Sequence, residues 1–71
     1  MKTIELTFVI TLENGAPDAR VARFNPTDET RDIQGVKFRL YLTPNGGKKY
    51  IPADDKVYKL WLAGTGAVEL G

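Results

Sequence analysis

The chain has no cysteine, no histidine and no serine. The first absence rules out disulfides. The first two together remove the main transition-metal ligands, so no metal site and no cofactor is expected. Nucleophilic catalysis needs a nucleophile and a base that activates it. The Ser-His-Asp and Cys-His arrangements cannot be built here, and nothing marks a particular threonine to pair with a lysine base. The carboxylates Asp28, Glu29, Asp32, Asp54 and Asp55 match no calcium-loop spacing. Aspartate is a preferred turn and cap residue, which accounts for them better. Gly64-Thr65-Gly66 opens like a dinucleotide fingerprint, but Glu69 stands where the third glycine is required. Gly46-Gly47-Lys48-Lys49 lacks both the upstream glycine and the hydroxyl residue of a phosphate loop, and reads as a hairpin turn. The expectation is a protein that is not an enzyme.

Strong net charge is also missing. Ten basic residues against nine acidic ones leave +1, too little for the whole molecule to be drawn to nucleic acid or membrane. No segment approaches the roughly 20 apolar residues of a membrane helix. The apolar run after Met1 is interrupted by Glu5 and threonines, and no small-residue cleavage site follows it. The expected location is therefore the cytoplasm. With 42% hydrophobic and 27% charged residues the composition is that of a folded protein. The 71 residues suffice for a single domain over residues 1–71. So small a domain buries only about 60% of the surface of its unfolded chain. Without disulfide or metal staples, a partner or self-association is one way to make up the shortfall.

What the sequence does contain is alternation. Ile4, Leu6, Phe8, Ile10 and Leu12 recur at period two from Thr3 to Glu13, which predicts a half-buried strand. Asn14-Gly15 then predicts a tight turn, since both residues tolerate positive φ. Ala16 to Phe24 reads as a strand, with a helix from Pro17 as the alternative. Asn25 to Asp32 reads as a polar loop. Val36 to Thr43 is a second strand, with Val36, Phe38, Leu40 and Leu42 on one face. Pro44-Asn45-Gly46-Gly47 is a turn, and Lys48 to Ile51 a short returning strand stopped by Pro52. Val57 to Leu62 reads as a third clear strand, and Ala67 to Leu70 as a last short one. The run Tyr58-Lys59-Leu60-Trp61-Leu62 echoes Phe38-Arg39-Leu40-Tyr41-Leu42, as two buried strands of one sheet would. The fold expected is β-rich: a small antiparallel barrel or sandwich of five or six strands. The alternative is an α+β arrangement with one short helix near residues 17–24.

If Leu40, Leu42, Leu60 and Leu62 point into the core, alternation turns Lys37, Arg39, Tyr41, Lys59 and Trp61 outward together. Lys48, Lys49 and Tyr50 extend that face. Trp, Tyr and Arg are the residues that anchor protein interfaces. A non-enzymatic protein-binding role is the first expectation, in the manner of a small phage- or plasmid-type regulator or inhibitor that occupies a larger host protein. The same mixture of cations and flat rings suits single-stranded nucleic acid, which is the second expectation. The third is a structural subunit that self-associates through its edge strands.

Overall fold

In the structure, a computed structural model that describes Lys2 to Leu70, the chain runs β1 (Thr3–Thr11), β2 (Pro17–Ile33), β3 (Val36–Leu42), β4 (Lys48–Pro52), α1 (Asp55–Thr65) and β5 (Val68–Leu70). The strands are antiparallel in the order β4-β3-β2-β1-β5. The first four form a meander. The helix then carries the chain across to the far edge, where β5 pairs with the start of β1. The domain is thus β-rich with one short helix, as expected in outline, and takes the form of a single open sheet.

The two expected strands β1 and β3 are present, as are the turns after them. The Asn14-Gly15 turn is closed by Leu12 N–H donating to the Ala16 carbonyl at 2.9 Å, with Gly15 at φ 83°. Residues 17–24 are strand rather than helix. They belong to a 17-residue strand that also takes in the expected polar loop 25–32. Pro26 is tolerated there because the register with β3 shifts between Pro26 and Thr30; a proline inside a sheet is found at such a bulge. Thr27 holds the irregular stretch. Its hydroxyl donates to the Leu40 carbonyl at 2.8 Å and accepts from Glu29 N–H at 3.2 Å. Its carbonyl accepts from Arg39 Nη1 at 2.8 Å.

The expected strand at Val57–Leu62 is instead the body of α1. Two caps decide this. The Asp54 carboxylate accepts from the Lys56 and Val57 amides at 3.1 and 3.2 Å, and Asp55 adds negative charge in the first turn. At the other end Gly66, at φ 74°, donates its N–H to the Leu62 carbonyl at 3.0 Å. Val57, Tyr58, Trp61 and Leu62 are half-buried while Lys59, Leu60, Ala63 and Gly64 are exposed. That is the spacing of one helical stripe. The echo of residues 38–42 at 58–62 is therefore a strand matched to a helix.

The core is small. Ile4, Phe24, Tyr41 and Ile51 pack together, with Leu6, Ala22, Tyr58 and Trp61 against them. Ile4 faces Phe24 across β1 and β2, while Ile51 lies opposite Arg39, on the face of β3 that carries Tyr41. The helix covers this face. The inward side of β3 is thus the Arg39–Tyr41 side, the reverse of the expected orientation. Leu40 is buried on the other face, beside Tyr50, and Leu60 is 74% exposed.

Candidate protein-interaction surface

The eight residues of the expected binding face are divided by this orientation. Tyr41 is 5% exposed and belongs to the core. Arg39, half-buried, is held on the Thr27 carbonyl. Trp61 packs on the core, its ring 6.5 Å from that of Tyr58 with 14° between the planes. Lys49 extends over the Phe24 ring at 5.9 Å. Lys48 and Tyr50 lie on the opposite face, where Arg31 covers the Tyr50 ring at 4.9 Å. Lys37 is exposed, opposite Asp32 on β2. Lys59 is on the outer side of the helix, 3.7 Å from Asp55. No single face therefore offers open rings beside cations, the arrangement that stacking on bases needs.

Tyr41 and Tyr58 line a shallow cleft of about 290 Å³ with Lys2, Arg39, Pro52, Ala53 and Glu69. Burial raises the pKa of Tyr41, partly offset by the Arg39 charge. Burial also raises that of Tyr58, and the neighbouring Glu69 carboxylate adds to the effect. Both phenols are therefore neutral, and neither is activated as a base or nucleophile. Among the described residues no three carboxylate, cysteine or histidine side chains gather as a metal site.

The surface that stands out is the β1–β2 hairpin. Beyond the core contacts of Ile4 and Phe24 it projects as a two-stranded ribbon. β5 pairs only with Thr3, Ile4 and Glu5 of β1, and β3 meets β2 only from Asn25 onward. Among the described residues, none forms a strand beside the outer edge of β1 from Leu6 to Thr11 or beside β2 from Pro17 to Phe24 on the side away from β1. This ribbon carries Phe8, Val9, Leu12 and Val21 at 40%, 67%, 38% and 59% exposure. At its base a notch of about 430 Å³ opens between Val21–Arg23 and Thr43–Asn45.

The ribbon accounts for the molecule's shape. The radius of gyration is 13.4 Å and the extents are 41 × 27 × 24 Å, against about 11 Å for a compact domain of this length. The accessible surface is 5136 Å², about 700 Å² more than a folded monomer of this mass exposes on average. The alternation of β1 was readable in the sequence. That its apolar face outruns the core was not, because this depends on where β3, β5 and the helix stop. Comparison with protein-family models, curated proteins and solved structures finds no match for this chain.

Proposed function

We propose that this chain is a non-enzymatic protein-binding domain whose working surface is the β1–β2 ribbon, and that it acts in the cytoplasm as a small regulator or inhibitor by occupying a larger protein. The reading rests chiefly on the exposure of Phe8, Val9, Leu12 and Val21 together on one projecting element. Phe8 and Leu12 lie on one face of this element and Val9 and Val21 on the other, and large apolar side chains grouped on one projecting element mark a docking surface. The ribbon also offers a free backbone edge, and adding a strand to such an edge is a common mode of protein recognition. The missing nucleophile and base classes support a role by occupation rather than by turnover.

Affinity capture with the full chain as bait, from an extract of its source, tests this. One stoichiometric larger partner is expected with the wild-type chain and none with Val21→Asp. Val21 is exposed and outside the core, so the variant should keep the wild-type circular dichroism. Equal capture by wild type and variant would remove the ribbon from consideration.

A further inference from the structure

The free edge of β1 differs from every other edge of this sheet. Leu6-Thr7-Phe8-Val9-Ile10-Thr11-Leu12 holds no charge, no proline and no glycine. The usual devices that keep an edge from pairing are absent there. They are present elsewhere. The free stretch of β2 begins with Pro17 and carries Asp18, Arg20 and Arg23. The outer strand β4 carries Lys48 and Lys49. β5 is three residues long.

Hydrogen-bond parity shows what the β1 edge can offer. Leu12 N–H donates to Ala16 across the hairpin, so the even-numbered residues of β1 direct their amides and carbonyls toward β2. The odd-numbered ones direct theirs outward, as Thr3 and Glu5 do opposite Leu70 and Val68. Beyond β5, the outward groups belong to Thr7, Val9 and Thr11.

We propose that the partner of this edge is a second copy of the chain, joined β1 to β1 in antiparallel register about Val9. This rests on the reading of the ribbon as a binding surface and names what its edge binds. Centred on Val9, the pairing sets Val9 against itself and Thr7 against Thr11, so all three outward residues of each copy are used. Any other register leaves at least one unpaired. A two-fold contact of this kind brings each residue near its own kind, so it tolerates a neutral edge and rejects a charged one. That criterion selects β1 and excludes β4, where lysine would meet lysine. The contact spans Thr7 to Thr11 and ends there, because Val68 of β5 already lies beside Glu5, so no two like charges are opposed within it. The two-fold axis runs perpendicular to the sheet, so both helices fall on one face. Leu6, Phe8, Ile10 and Leu12 of both copies then form a continuous apolar floor between them, and Val9 and Val21 of both copies form a second apolar patch on the opposite face, which is the surface a larger partner meets.

The absence of native cysteine makes the register directly testable. Directly opposed residues of a hydrogen-bonded antiparallel pair lie about 5.5 Å apart at Cα, within the range of about 4.4–6.8 Å that a disulfide spans. Val9→Cys should oxidise to a covalent dimer. Thr7→Cys alone should stay monomeric under reducing-free denaturing electrophoresis, and an equimolar mixture of Thr7→Cys and Thr11→Cys should cross-link. Light scattering of the wild-type chain over a range of concentrations should report twice the 7.9 kDa chain mass, and Val9→Lys should halve it while keeping the circular dichroism. A wild-type chain that is monomeric throughout, one that forms open aggregates, or equal cross-linking at all three positions would overturn the proposal. If self-pairing fails while Val21→Asp still loses the larger partner, the ribbon remains a binding surface and only the second copy is wrong.

Discussion

Two hairpins share β2, and they are built differently. The first, β1 with residues 17–24, carries exposed Phe8, Val9, Leu12 and Val21, and its outer strand is uncharged from Leu6 to Leu12. The second, residues 25–33 with β3, carries Asp28, Glu29, Arg31, Asp32 and Lys37, and its exposed Ile33 stands alone at the tip. The two meet only near Phe24 and Asn25, where the helix packs and the core forms. Both hairpins project into water, so burial cannot explain why only one has an uncharged outer strand. A charged hairpin is at rest in solvent. An uncharged outer strand with a free backbone edge lacks the features that keep β2 and β4 from pairing.

The comparison breaks most sharply at the junction. Ile51 is fully buried in the cluster that joins the hairpins, and Ile51→Ala should cost about 2–5 kcal/mol, a large share of the stability of so small a domain. Urea unfolding followed by circular dichroism measures it. The same truncation at exposed Val21 should stay within about 0.5 kcal/mol. Equal costs at the two sites would mean that the ribbon is part of the core after all.

A smaller effect is expected at alkaline pH, from Tyr41 and Tyr58 under the helix. Their folded pKa values are raised above the ordinary tyrosine value. The protonated, neutral phenol is the form the fold favours, so their contribution is complete below about pH 10 and is lost as pH rises beyond it. Tyr58→Phe removes one of these ionisations and should move the alkaline unfolding midpoint upward relative to wild type. The smallest effect lies at the charged tip, where Gln34 adopts φ 49° ahead of Gly35 at φ 81°. Both residues of this turn need positive φ, and asparagine tolerates it better than glutamine. Gln34→Asn should stabilise by a few tenths of a kcal/mol, about 0.5 at most, with no change in light scattering. A change in mass would show that association involves the charged hairpin too.

The sequence made the β-rich class, the strands β1, β3 and β4, and the turns at Asn14-Gly15 and Pro44–Gly47 legible, because each rests on local alternation or turn chemistry. Residues 57–62 misled because apolar positions at 58, 60 and 62 satisfy period two within a window of six. The helical stripe Val57, Tyr58, Trp61 and Leu62 shows itself only when Asp54 and Gly66 are read as caps. That error carried the site with it. With Trp61 on a helix that covers Tyr41, the expected outward face of Lys37, Arg39, Tyr41, Lys59 and Trp61 does not assemble. Each face of β3 carries one buried residue, Leu40 on one and Tyr41 on the other, so alternation gave its period and left its direction open. The ribbon was legible as a strand and a turn. Its exposure was not, since no local pattern records where neighbouring strands end.

The pairing of Thr3 with Leu70 and Glu5 with Val68 ties together segments from nearly opposite ends of the described chain. Three hairpins can form as the chain lengthens, each from adjacent residues. The strand that closes the β1 edge cannot, because it lies beyond the helix. During synthesis the outer edge of β1 therefore stays bare until the helix and β5 have followed it out.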